Sequence, residues 1–90
     1  MKPVRLSAHA QEQARHRGAT PGEIALTIEQ SAWNEAQMER KQAERVFDFS
    51  GTWNDRSYRY KKVRPVFVEE SDEIVVVTVY TYYFNGGEEE

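Results

Sequence analysis

Cysteine is absent from this 90-residue chain, which excludes disulfides and thiolate metal centres. Histidine is scarce: His9 and His16 fall on one predicted helix, seven residues apart. A rise of 1.5 Å per residue separates their backbones by about 10.5 Å, too far for both to hold one zinc ion at about 2.1 Å. No metal site and no cofactor are expected. Long apolar runs are missing too. The longest, Ile74 to Phe84, falls short of the roughly 20 residues that span a bilayer, and Thr78, Thr81 and three tyrosines interrupt it. No membrane association is expected. The Met1-Lys2-Pro3 start lacks the apolar stretch of a signal peptide, and a cytoplasmic protein is expected.

Basic residues are missing from the last third. Residues 66–90 carry seven acids and neither lysine nor arginine, residues 36–65 hold eight basic residues against four acidic, and residues 1–35 balance at four each. The formal net charge of −3 therefore conceals segregated charge. A chain that is acidic overall can still present a basic face, and such a face attracts phosphate. The plainer alternative is a solvated charged hairpin. One domain is expected over residues 1–85, burying about 60–65% of its unfolded surface. Residues 86–90 (Gly-Gly-Glu-Glu-Glu) offer no apolar side chain to a core and are expected to form an acidic mobile tail.

Local signals are strongest near the N terminus. Pro3 to Leu6 reads as a short edge strand, where proline is tolerated. Ser7 caps a helix over Ala8–Arg17 whose Ala8, Ala10 and Ala14 make a small-residue face, and Gly18 stands just past its end, where a left-handed conformation is needed. Thr20 and Glu23 form a capping box with Pro21 at the first helical position. Ile24, Ala25, Leu26 and Ile28 supply the apolar stripe of a second helix that fades near Gln30 or Ser31.

Residues 34–44 are rich in Glu, Ala, Gln, Met, Lys and Arg, so propensity alone predicts helix. Helix or strand stays open there. Val46-Phe47-Asp48-Phe49 alternates, Ser50-Gly51 and Asn54-Asp55 are turn residues, and Ser57 to Lys62 is a tyrosine-rich strand. Residues 44–63 thus read as a hairpin with an irregular loop around Trp53. Pro65 implies a bulge or an edge, giving two strands or one bent strand through Val66-Phe67-Val68. Ile74 to Phe84 is β-branched and aromatic on both parities, the pattern of a central strand covered on both faces. Its acidic flanks serve as gatekeepers against aggregation, which accounts for the acidic third without a partner.

Ser7-x-His9-Ala10, Arg17-Gly18 before a capped second helix, and the late strand Val76-Val77-Thr78-Val79-Tyr80 resemble the small bacterial proteins of domain-of-unknown-function family 4258. The resemblance extends over nearly the whole chain and is most specific at its two ends. That family is similar to the fold group of small ribonucleases and toxins that includes the RelE toxins. The resemblance implies an α+β, RelE/barnase-like fold, with two N-terminal helices packed on a curved antiparallel sheet of about four strands. It also implies strands rather than helix over much of 33–49. Many relatives place Arg four residues after the motif histidine, where this chain has Gln13, so no phosphate contact is expected from that position.

Metal-independent RNA cleavage requires a base for the 2′-OH proton, an acid for the leaving 5′-oxygen and cations for the charge on phosphorus. His9, with an ordinary pKa of about 6.5, is the candidate base. A histidine this near a helix cap also has a structural reading, bonding a backbone carbonyl. The candidate catalytic set is His9, Tyr80 and Lys62, with Tyr80 or Tyr82 as proton donor or stacking surface, and the candidate RNA-binding set is Arg17, Arg59, Lys61 and Arg64. Arg17 in a last helical turn also satisfies the helix dipole without a ligand. Tyr58 and Tyr60 alternate with Arg59 and Lys61, so a regular strand has one aromatic and one cationic face. Trp33 and Trp53 are read as packing residues.

Two functions of different class follow. One is a toxin-like protein that binds RNA and cleaves it without metal; the other is a non-catalytic interaction module with the same fold. The candidate partners are RNA, an antitoxin-like protein, or a second copy joined through an edge strand at 3–6 or 64–69.

Overall fold

The computed structural model describes residues 1–86, so the expected tail beyond Gly86 lies outside the described residues. The chain runs β1 (Val4–Leu6), α1 (Ala8–Arg17), α2 (Pro21–Gln30), β2 (Asn34–Ala36), β3 (Arg40–Gln42), β4 (Arg45–Trp53), β5 (Arg56–Glu69) and β6 (Ile74–Phe84). The protein is α+β, and both helices are N-terminal. The sheet differs from the expected four antiparallel strands. It has six, ordered β1-β6-β5-β3-β2 with β4 also on β5, and β1 is parallel to β6. Two short strands at residues 34–42 and the parallel β1 account for the difference.

Both helices begin and end where their caps predict. Ser7 Oγ accepts the Ala10 amide at 3.1 Å, and Gly18 closes α1 in the left-handed region at φ 81°. The Thr20–Glu23 capping box is complete. Ala10 and Ala14 are buried, which lets α1 lie close against β6. Ile24, Ile28, Val63, Phe67, Ile74, Val76 and Val79 fill the space between the helices and the sheet. Each such side chain contributes about 1.5–3 kcal/mol on burial. Trp33 packs edge-on against Phe67 at 4.9 Å and donates Nε1–H to Ile28 O.

Residues 34–44 form a β2–β3 hairpin, against their helical propensity. Met38 and Glu39 both have positive φ (61° and 60°) and the Arg40 amide bonds Gln37 O at 3.2 Å, the geometry of a type I′ turn. β3 then pairs with β5 through Gln42 and Val66, and this tertiary pairing outweighs propensity. Asn54 and Asp55, also at positive φ, make the corresponding two-residue turn between β4 and β5. Trp53 therefore ends a strand and is not in an irregular loop. The irregularity falls between Asp48 and Gly51, where the β4–β5 register shifts.

β5 is one continuous strand through Pro65. The Pro65 carbonyl accepts the Ala43 amide, so its nitrogen faces the gap where the neighbour of β5 changes from β4 to β3. The missing N–H falls where no strand requires it. A second bulge lies opposite: Val66 pairs with Thr78 but Phe67 with Val76, leaving Val77 unpaired. This extra residue reverses the parity of β6. Ile74 and Val76 point into the core before it, Val79 after it, and Tyr80 and Tyr82 are turned to the opposite face. Tyr80 is 38% exposed there and β1 pairs only with Ile74–Val76, so β6 lies between two strands at its start alone and is not covered on both faces.

Candidate nucleic-acid interface

Lys61 and Lys62 mark the two faces of β5. The Lys61 ammonium is buried on the helix side, 2.8 Å from Gly18 O and 2.9 Å from Glu23 Oε1. Glu23 Oε1 is the same atom that receives the Thr20 amide of the capping box. Lys62 is buried on the other face, its ammonium 5.6 Å from the Tyr82 ring centroid and 4.0 Å from Glu44 Oε1. Cross-strand pairing groups Lys62 with Tyr82 and Arg64 with Tyr80 on this helix-free face.

The edge of β6 beyond β1 is met by side chains of α1. The Val79 amide donates to Gln13 Oε1 at 3.3 Å, and the Val79 carbonyl accepts from Arg17 Nη1 at 2.8 Å. Thr78 Oγ1 also donates to Gln13. Gln13 and Arg17, one turn apart, thus occupy the hydrogen-bonding groups of Val79 as a neighbouring strand would. Thr81 and Tyr83 hydroxyls donate back to Arg17 O at 2.9 and 2.8 Å. Burial, reinforced by the negative charge of Glu23, pushes the Tyr83 phenol up to about 12.

The same anchoring holds the Arg17 guanidinium against Tyr80, 5.2 Å from its ring centroid. Arg64 lies 5.4 Å from that ring and 5.1 Å from the Tyr82 ring, and its Nη2 donates to the Tyr82 hydroxyl. An exposed aromatic ring therefore carries two guanidinium groups, each within cation–π range. Arg17 and Arg64 make no ion pair among the described residues, whereas Lys2, Arg5, Lys41, Lys61 and Lys62 each face a carboxylate. The arrangement places a part-exposed ring and two guanidinium groups together at the surface, where the cations attract anions and the uncovered part of the ring offers a contact to a planar group.

Beside Tyr80 the sheet and the β2–β3 turn enclose a groove of about 270 Å³, lined in part by Arg40, Gln42, Arg64 and Thr78. Arg64 Nε is buried at this position without a hydrogen-bond partner among the described residues.

The remaining sequence candidates lie elsewhere. His9 is exposed on the first turn of α1. It stands two turns from Arg17, about 12 Å of helix rise. Arg59 is exposed near the sheet end, its guanidinium 5.5 Å from the Tyr60 ring and its amide bonded to Asn85 Oδ1. Tyr58 lies 5.7 Å from Tyr83 whereas Tyr60 lies 5.5 Å from Phe84, so the two tyrosines join different aromatic groups and the strand lacks the expected single aromatic face. Trp53 stacks on Tyr83 at 4.9 Å, beneath Gly18.

Among the described residues no three His, Asp or Glu side chains are grouped to hold a metal ion. No described helix is long and apolar enough to cross a membrane. Arg40 and the anchoring role of Gln13 escaped the sequence reading. The spacing of Gln13 four residues from Arg17 was the available signal for one; Arg40 had none, because its segment scores as helix. Comparison of the chain with protein-family models, with curated proteins and with solved structures returns no match in any of the three.

Proposed function

We propose that this protein binds single-stranded RNA on the helix-free face of its sheet, with one base stacked on Tyr80 and the adjoining phosphates held by Arg17 and Arg64. The observation that carries this function is an exposed tyrosine flanked by two guanidinium groups that have no carboxylate partner among the described residues. Single strands offer the unstacked bases that such a ring accepts, and base–aromatic stacking is tolerant of sequence. The resemblance of Ser7-x-His9-Ala10 and Arg17-Gly18 to family 4258, a family similar to the fold group that includes ribonuclease toxins, is in keeping with this reading. Lys61 has no part in this surface because Glu23 and Gly18 hold its ammonium. Cleavage is a separate step, with His9 as its candidate base; incubation of RNA with wild type and His9→Ala in the absence of metal tests it.

Binding is tested by salt titration of a fluorescent single-stranded oligoribonucleotide. Two neutralised phosphates give a slope of about −1.4 in log K against log salt, and Arg64→Ala reduces it by about 0.7. No binding at low salt, or a slope that Arg64→Ala leaves unchanged, removes this function. A second function, docking of another chain by strand addition, is favoured by β4, whose only strand partner among the described residues is β5 and whose Val46 is 46% exposed. Concentration-dependent dimerisation lost on Val46→Lys distinguishes it.

A further inference from the structure

We infer that the groove beside Tyr80 is a site for a phosphate monoester, the 5′-terminal phosphate of the bound strand, clamped between Arg40 and Arg64. The inference rests on the RNA function only for what the phosphate is attached to.

Arg64 supplies the first reason. Its Nη2 donates to Tyr82 and, among the described residues, its buried Nε has no partner, so the guanidinium is held at the groove with part of its hydrogen-bonding capacity unused. The acceptor is an anion because Arg40 and Arg64 both line the groove, and among the described residues no carboxylate lines it and neither arginine makes an ion pair. Arg40 is directed there by the type I′ turn that precedes it, closed by its own amide on Gln37 O.

Charge then selects the anion. A groove of about 270 Å³ has room for a phosphoryl group, and Tyr80 lines the same groove, so the attached nucleotide can pass out over its ring. A monoester has three terminal oxygens and a charge of about −1.5 to −2 at neutral pH. Arg40 can present a guanidinium fork to two of these oxygens, and Arg64 adds its charge and the N–H groups that Tyr82 leaves free. An internal phosphodiester offers two such oxygens and a single negative charge.

The test compares one short single-stranded oligoribonucleotide, labelled at its 3′ end, with a 5′-phosphate and with a 5′-hydroxyl. The phosphorylated strand is expected to bind about tenfold or more tightly, and Arg40→Gln to bring the ratio close to one. Equal affinity of wild type for the two strands overturns the inference while leaving RNA binding intact. If neither strand binds, the RNA function fails, and inorganic phosphate becomes the probe. A saturable shift of the Arg64 Nε–H resonance, lost in Arg40→Gln, then supports the phosphate site, and no shift in wild type overturns it.

Discussion

Replacing Lys61 by alanine is expected to destabilise the fold, although the residue lies in the most basic segment of the chain. The Lys61 side chain is 6% exposed and its ammonium links β5 to the start of α2 through Gly18 O and Glu23 Oε1. Removing one partner of a buried ion pair costs about 3–5 kcal/mol. Glu23 keeps 25% of its side chain exposed, and water replaces part of what it loses, so the bottom of that range, about 3 kcal/mol, is expected. At about 4–8 °C per kcal/mol for a domain of this size, the thermal midpoint falls by about 12–24 °C. Urea denaturation followed by Trp33 and Trp53 fluorescence measures the loss. Combining Lys61→Met with Glu23→Gln removes both charges and is expected to cost at least about 0.5 kcal/mol less than the sum of the single changes. A loss below about 1 kcal/mol, the value of a surface pair, accompanied by weaker RNA binding refutes the buried-pair account and returns Lys61 to the interface.

Three further outcomes follow from the same contacts. Gly18→Ala puts a Cβ 2.4 Å from Tyr83 Oη and 2.9 Å from Trp53 Cζ3 at φ +81°. The strained backbone and the overlap together cost about 2–4 kcal/mol in urea melts. The Tyr83 phenol is raised to about 12, whereas an unfolded tyrosine titrates near pH 10, so the unfolded state loses its proton first. Stability therefore falls as pH rises from about 10 to 12, and Tyr83→Phe flattens that part of the profile. Gln13→Ala leaves the Val79 amide without its acceptor, at a cost of about 1–3 kcal/mol, and hydrogen exchange at Val79 accelerates.

Local chemistry made much of this architecture legible. Ser7, Gly18, Thr20, Pro21 and Glu23 act through the backbone next to them, so both helices could be bounded from sequence alone. Asn54-Asp55 likewise announced its turn. The β2–β3 hairpin was hidden because its residues favour helix and its strand character comes from pairing with β5, more than twenty residues later. Face assignments failed for a related reason. Alternation assumes an unbroken register, and the shifts near Ser50 and Val77 change which residues share a face. On β5 itself, Tyr58 and Tyr60 join different rings, and Lys61 and Arg64, candidates for one surface, stand on opposite faces because they are three residues apart. Tyr80 and Arg64 were visible as residue types, but their meeting with Arg17 depends on α1 lying along the β6 edge. Gln13 has the same dependence: it fits no phosphate motif because its amide serves the Val79 backbone.

The stacking of a base on Tyr80 is the central claim, and the affinity of Tyr80→Ala for a single-stranded oligoribonucleotide tests it most directly. Loss of one stacked base weakens binding by about 1–3 kcal/mol, roughly 5- to 150-fold, while Tyr80→Phe retains most of the affinity because the ring remains. Tyr80→Ala binding as tightly as wild type, with an unchanged urea midpoint, contradicts it.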